Sequence, residues 1–356
     1  MPTPHQAFLV IRLSSIGDIV HALPAVCALA GSFPQAEITW AIEDRYAVLL
    51  EGNPCVRRVL RVDTLGWRKR LASARMLAEV AGAVRRLRDQ RYDAVIDFQG
   101  LIKTGILAWL GRSSRRIGYA RSAHREPGAG LFYTDEVTLR KGMHAVEENL
   151  ALVESLGART TAWCFPLPRR QEDERAVDAQ LARINAREFI VVNPGGGWLD
   201  KRWPPDLYAQ LIARVARLTE GTEFATETER AIILTGSPAD ESDIAVILRQ
   251  AACARARYVP TTLGQYIALV RRARLFIGGD TGPMHLAAAI GVPIVAIMGP
   301  TDPARNGPFS AADETVSNHA LVNHSRRRKH SAFLEGISVD DVLAAVQQRL
   351  ERSRAR

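Results

Sequence analysis

Residues 275–303 read LFIGGDTGPMHLAAAIGVPIVAIMGPTDP, and this stretch limits the possible folds more than any other. LFIG is short, apolar and unbroken, the pattern of a strand buried on both faces, and VPIVAIMG is a second of the same kind. The apolar run LAAAI between them reads as a helix. Asp280, Thr281 and Gly282 then fall at the carboxyl end of a strand and the amino end of a helix. Free backbone N–H groups and the positive end of the helix dipole point outward there, and a phosphate or pyrophosphate suits them.

The same alternation runs through the whole chain. FLVIRL, AEITWAIE and YDAVIDF read as strands, each followed by a helical pattern such as HALPAVCALAGSF or LIKTGILAWLG. The pattern restarts with EFIVVNPGG, continues through RAIILTG and LFIGGD, and ends in the helix VDDVLAAVQQRL. Strands alternating with helices imply parallel sheets with ligands at the strand carboxyl ends. Residues 165–168, Phe-Pro-Leu-Pro before the charged QEDER, read as a linker, which divides the chain into residues 1–168 and 169–325. Residues 326–356 form a basic segment and a last helix. The polar insert at residues 220–230 is expected to be a surface loop, and no internal repeat is visible.

With 356 residues, 47% of them hydrophobic, the chain is long enough for two domains with full cores. No run of about 18 uncharged apolar residues occurs, and the sequence enters its first strand without a signal-peptide pattern, so a cytoplasmic location is expected. Cys27, Cys55, Cys164 and Cys253 are scattered in sequence, suggesting neither a metal site nor a redox motif, and reduced thiols are the plain expectation. The net charge of +9 is uneven. Residues 1–168 hold 22 Lys and Arg against 16 Asp and Glu, residues 169–320 hold 17 against 18, and residues 321–356 hold 8 against 4. Between Arg57 and Arg88 lie ten basic residues and only Asp63 and Glu79 as acids. Leu77, Val80, Val84 and Leu87 repeat there at helical spacing, which predicts a helix with one buried and one cationic face. Such a face is either plain solvated surface or a site for an anionic partner. Nucleic acid fits less well, because aromatic residues are 6% of the chain and no stacking motif accompanies the charge.

Three strand ends carry chemistry. In Arg12-Leu13-Ser14-Ser15-Ile16-Gly17-Asp18, small residues allow a tight loop that sets Asp18 at a helix start, as a general base or as a helix cap. In Asn193-Pro194-Gly195-Gly196-Gly197, glycines permit close backbone approach, and Lys201 and Arg202 follow with positive charge. In Asp280-Thr281-Gly282-Pro283-Met284-His285, the carboxylate suits sugar hydroxyls, and His285 either reaches a phosphate or is structural.

These segments resemble glycosyltransferase family 9, the ADP-heptose:lipopolysaccharide heptosyltransferases. SSIGDIVHALPA is similar to the family's amino-terminal loop and FQGLIKTGILA to its acceptor-side strand and helix. NPGGGWLDKRWP resembles its donor loop, and GGDTGPMHLAAAIGVPIVAIMGPTDP its nucleotide-sugar signature. Trp67-Arg68-Lys69, Arg125-Glu126-Pro127 and Gly142-Met143-His144-Ala145-Val146-Glu147 look most like the branch that adds the first heptose to the Kdo of the lipid A core. The chain departs from the family pattern with Arg12 where Lys is common, with glycines at 195–197 where that branch offers Thr, and with NHSRRRKHS after residue 318.

The resemblance implies an α/β chain of GT-B architecture, two Rossmann-like domains with parallel sheets facing a central cleft, the first binding acceptor and the second donor. Asp18 would be the base of an inverting transfer. Lys201 and the amides around Thr281 and Gly282 would stabilise the departing ADP, with no metal or cofactor. Gly195, Gly196, Glu241, Asp280 and His285 would complete the donor site. Ser15, Gly17, Arg68, Lys69 and Arg125 would hold the Kdo-lipid A acceptor, and the basic first half would meet the anionic inner-membrane surface as a peripheral, monomeric protein. A family member using another sugar or acceptor, a nucleotide-sugar epimerase, and a non-catalytic basic binding protein are the alternatives.

Overall fold

The computed structural model describes residues 6–69, 73–123, 125–160, 162–197, 201–218, 230–318, 334 and 336–354. The chain forms two compact units, Met1–Pro168 and Arg169–Arg356. The strands of the first are β1 (Ala7–Ile11), β2 (Glu37–Glu43), β3 (Arg58–Val62), β4 (Ala94–Asp97), β5 (Arg115–Tyr119) and β6 (Asp135–Val137). All pair in parallel, in the order β3-β2-β1-β4-β5-β6. Its helices are α1 (Ile16–Ser32), α2 (Thr64–Lys69), α3 (Ala74–Arg88), α4 (Ile102–Leu110) and α5 (Ala145–Glu154).

The second unit carries β7 (Glu188–Asn193), β8 (Arg230–Leu234), β9 (Ala256–Tyr258), β10 (Leu275–Gly279), β11 (Ile294–Met298) and β12 (Glu314–Ser317). Its helices are α6 (Gln171–Arg183), α7 (Pro205–Leu218), α8 (Glu241–Ala251), α9 (Leu263–Val270), α10 (Gly282–Ile290), α11 (Pro303–Asn306) and α12 (Val339–Arg354). The strand order is β12-β11-β10-β7-β8-β9, again wholly parallel. Counted from its own first strand, this is the order of the first sheet. Winding therefore repeats where sequence does not, because order follows from the alternation of strands and helices rather than from residue identity. In both sheets the order reverses beside the first strand, at β1/β4 and β7/β10. Loops leaving those strands splay apart at the carboxyl edge, which is where ligands bind in sheets of this kind.

Burial explains the apolar runs. Leu9, Val10, Ile11 and the strand Ala94–Asp97 are fully buried, as are Phe276, Ile277 and Ile294 in the second unit. Leu9, Ile11, Leu60 and Val95 join Leu87 of α3 in one core cluster, and Ile190, Val192, Trp203 and Leu211 anchor the other. Gly118 in β5 lies under the Tyr133 ring, where a Cβ would stand 2.3 Å from Cε2.

Several expectations change. The last helix is not a separate segment: Ile337, Val342, Leu343 and Val346 lie in the second unit's core, and α12 packs on α7, β11 and β12. Arg230, expected in a surface loop, is a buried first residue of β8, while residues 220–229 of that insert and the basic residues 326–329 lie outside the described residues. The buried face of α3 is narrower than its spacing suggests, since Leu77 is 60% exposed. Cys27 and Cys55, far apart in sequence, bring their sulfurs to 2.9 Å.

Candidate functional site

In the first unit, the chain leaving β1 is fastened on both sides before α1 begins. The Arg12 amide donates to Ala41 O at 3.2 Å, its guanidinium donates to Phe98 O, and the Leu13 amide donates to Gln99 Oε1 at 2.8 Å. Ser15 then caps α1, Gly17 is buried in the first turn, and Asp18 occupies the third helical position. Four donors meet the Asp18 carboxylate. Arg12 Nη2 lies 2.5 Å and Arg125 Nη2 3.0 Å from Oδ1, and the Ser15 amide and hydroxyl donate to Oδ2 at 3.1 and 3.0 Å. Burial raises the carboxyl pKa, but Arg12, Arg125 and the Ser15 amide outweigh it, so Asp18 titrates far below the usual carboxylate range. The bonds to Ser15 also make Asp18 a helix cap, so the capping and catalytic readings share one geometry.

The structure thus joins Ser15, Asp18 and Arg125. Arg68 and Lys69 lie instead on the exposed last turn of α2, and no carboxylate among the described residues pairs with either. Arg68 borders an apolar groove of about 690 Å³ that is also lined by Trp67, Val80, Ile102, Lys103 and Ile106, among others. Lys103 donates to Thr64 Oγ1 at 3.3 Å, and Glu126 accepts the Ile102 amide at 2.8 Å at the start of α4. Lys103 lies within the segment FQGLIKTGILA, whose pattern alone does not distinguish it from the other polar residues there. Its position in the first turn of a helix following a buried strand was the available signal.

In the second unit the ends of β7 and β8 are joined by Asn193, whose Nδ2 donates to Thr235 O and Oγ1 at 3.0 and 3.1 Å. Gly195 and Gly196 follow, and packing demands both. A Cβ on Gly195 would come 2.8 Å from Asp240 Oδ2, and one on Gly196 2.8 Å from Arg202 Cγ. The neighbours that require glycine are protein side chains, where the sequence suggested open approach for a ligand. Arg202 pairs with Asp240 at 3.0 Å and Asp243 at 3.1 Å. Glu241 is exposed at the start of α8 and accepts from the Tyr258 hydroxyl at 3.2 Å.

Asp280, at the end of β10, is engaged within the protein, although the sequence suggested that it holds sugar hydroxyls. Its Oδ2 accepts from Lys201 Nζ at 2.5 Å, and its Oδ1 lies 3.1 Å from His285 Nε2. Burial raises the Asp280 pKa, and the bonds and charges of His285 and Lys201 more than reverse that, holding the carboxyl well below its ordinary value. An ionised carboxylate only accepts, so Nε2 carries the proton that joins it. Thr281 caps α10 without a side-chain bond to it, its hydroxyl donating to Gly279 O at 3.3 Å. Pro283 has no N–H, and the amides of Gly282 and Met284 have no partner among the described residues, so α10 keeps a bare positive end. Among the described residues no three His, Cys, Asp or Glu side chains are arranged to hold a metal ion.

A model of glycosyltransferase family 9 (heptosyltransferase) matches residues 80–335, well over half of the chain. The chain belongs to glycosyltransferase family 9. Lipopolysaccharide heptosyltransferase 1 of Pseudomonas aeruginosa is 32% identical over 311 residues, covering 85% of this chain and 81% of that protein. The structure of Escherichia coli heptosyltransferase WaaC with ADP superposes with a TM-score of 0.74 at 28% identity, covering 97% of this chain and 100% of that one. WaaC with ADP-2-deoxy-2-fluoro heptose gives 0.71 at 27% identity over 98% and 100%. The family 9 chain has the α/β architecture of these GT-B enzymes, and it is a glycosyltransferase.

Proposed function

We propose that this family 9 chain is an inverting heptosyltransferase that moves L-glycero-D-manno-heptose from ADP-heptose to a Kdo residue of the lipid A inner core. The observation that carries the reading is Asp18 set between Arg12 and Arg125 at the first switch point: one candidate base, beside cations suited to an acidic acceptor. The likeness to lipopolysaccharide heptosyltransferase 1 and to WaaC with ADP supports it. In the reaction, an acceptor hydroxyl gives its proton to the Asp18 carboxylate as its oxygen attacks the anomeric carbon. The bond from that carbon to the diphosphate oxygen breaks on the opposite face, and ADP leaves with the electron pair. One displacement inverts the centre, so no covalent enzyme intermediate is needed. The bare end of α10 and Lys201 stabilise the departing charge, a role that requires no bound metal.

We further propose that the enzyme is cytoplasmic, works as a monomer and rests on the anionic inner-membrane surface through its first unit. Leu77, Ile102, Ile106, Trp109 and Leu131 are exposed apolar side chains there, and Arg68, Lys69, Arg85 and Arg86 stand on the same run of helices. Apolar anchors with flanking cations suit an anionic lipid surface. Sedimentation with anionic vesicles at low salt tests this, and an unbound protein would overturn it.

The function is tested by ADP release from ADP-heptose with and without Kdo-lipid A, comparing wild type and Asp18→Asn. Release that requires acceptor and disappears in the variant, with donor binding retained, is the expected result. Release independent of acceptor would favour an epimerase or hydrolase instead, and no release would show that donor or acceptor is wrong.

A further inference from the structure

A carboxylate offers about four lone-pair positions, and Asp18 has all four occupied. Arg12 and Arg125 share Oδ1, while the Ser15 amide and hydroxyl share Oδ2. A group in this state has nowhere to receive a substrate proton, so one donor must leave before it can act as a base. The donors are not equally free. Arg12 is 5% exposed and is also held by Phe98 O, and the Ser15 amide is fixed in the helix cap. Arg125 is 25% exposed, and among the described residues it forms an ion pair with Asp18 alone. Its backbone neighbour is anchored, since the Glu126 amide donates to Gly100 O at 3.3 Å, so the guanidinium can swing while its Cα stays in place.

We propose that Arg125 masks Asp18, and that the acid group of the acceptor unmasks it by drawing the guanidinium onto itself. This rests on the transferase reading above and adds to it a positioning role for Arg125: the acceptor's carboxylate or phosphate activates the base that its own hydroxyl will use. A guanidinium exchanges one carboxylate for another at little cost, because the paired geometry is the same. The exchange leaves Asp18 with one guanidinium instead of two, which raises its basicity at the moment the hydroxyl arrives. The other charged or titratable groups near Asp18 are Arg12 from the end of β1 and His21 from its own helix. On α5, packed along α1, His144 stacks edge-on at 5.5 Å from His21, and Glu148 acts on Tyr119 together with Asp97, Arg12 and Arg125. None of these has to move for the mask to lift.

Two measurements test the mask. In the first, wild type, Arg125→Gln and Arg125→Lys are assayed with the acid acceptor and with its neutral methyl ester. The ester cannot draw the guanidinium away, so wild type should lose at least tenfold in kcat with it, beyond any rise in KM. Arg125→Gln is permanently unmasked, so its kcat on the ester should exceed that of wild type, and its rate should fall on the acid side at a pH one to three units higher, about the effect of one adjacent guanidinium. Arg125→Lys keeps a positive charge beside Asp18, so the acid limb of its pH profile should stay close to that of wild type even where its KM rises. A residue that merely binds the acceptor would raise KM in Arg125→Gln and leave both the ester kcat and the acid limb unmoved, which would overturn the proposal. The second measurement needs no turnover: the Asp18 carboxyl carbon is titrated by NMR in aspartate-labelled protein, its signal assigned by loss in Asp18→Asn. Free Kdo should raise the titration midpoint in wild type, and Arg125→Gln should show the raised midpoint without sugar. An unchanged midpoint in both overturns the mask, whether or not the transferase reading stands.

Discussion

The pair Lys201–Asp280 allows a sharp energetic test of the second unit. Asp280 is 6% exposed and holds Lys201 at 2.5 Å, while the lysine side chain is 24% exposed. Removing one partner of a buried pair costs about 3–5 kcal/mol, because the other charge stays behind without compensation. In Lys201→Met, His285 still holds Oδ1 and water reaches the vacated side, so the lower figure of about 3 kcal/mol is expected. Asp280→Asn leaves an ammonium with access to water and should cost less, about 1–2 kcal/mol. The double variant removes both charges and should cost only about 2 kcal/mol, less than the two single losses together, giving a coupling of about 2–3 kcal/mol. Urea unfolding followed by circular dichroism measures all four proteins. Melting of the second unit in Lys201→Met should fall by roughly 6–12 °C, given 2–4 °C per kcal/mol for a unit of this size. The pH dependence follows from the lowered pKa of Asp280. Stabilisation by a carboxyl lowered in the folded state is complete above its unfolded value of about 3.9 and is lost as pH falls through the folded value. The Lys201→Met penalty should therefore be whole at pH 7 and shrink only in strong acid. Single effects that add to within about 0.5 kcal/mol would refute the pairing.

Arg12→Met should cost about 3–5 kcal/mol in the same assay, since it strands Asp18 in a largely enclosed site, whereas Arg125→Gln should cost about 1 kcal/mol or less. Gly118→Ala forces the Tyr133 ring aside and strains its 2.7 Å bond to Asp97 Oδ2, so a loss of about 2–3 kcal/mol is expected from thermal melts. Mild oxidation with diamide should remove two of the four free thiols and link Cys27 to Cys55 in a peptide map; four thiols still titratable would contradict the 2.9 Å contact.

Much of the fold was legible because buried parallel strands leave unbroken apolar runs such as FLVI and IVAIM, and these mark their own positions. The site was legible wherever a motif placed a charge at a strand end, as with Asp18, Lys201 and Asp280. What could not be read was which charges pair with one another. Arg12 and Arg125 lie 113 residues apart in sequence and meet on one oxygen atom, and Lys201 and Asp280 pair from different strand ends. Such pairings depend on strand order, and spacing along the chain does not encode it. The same holds for Cys27 and Cys55, and for Leu77, whose helical spacing says nothing about how far α3 rolls against the sheet. Gly195 carried an ambiguous signal, because a glycine needed by Asp240 and a glycine needed by a phosphate look the same in sequence.

The two switch points share one winding yet differ in the charge they would present to an anion. At the first, two guanidiniums face one carboxylate, leaving a surplus of full positive charge. At the second, Lys201 and Arg202 are met by Asp280, Asp240 and Asp243, so their charges are largely compensated, and a diphosphate there would draw chiefly on the amides of α10, with Lys201 adding to them. Attraction of a charged acceptor from a distance is screened by added salt, whereas hydrogen bonds from fixed amides act at contact distance. Raising ionic strength should therefore weaken acceptor capture steeply and leave nucleotide affinity nearly level, giving one polypeptide a salt-sensitive hand and a salt-tolerant one.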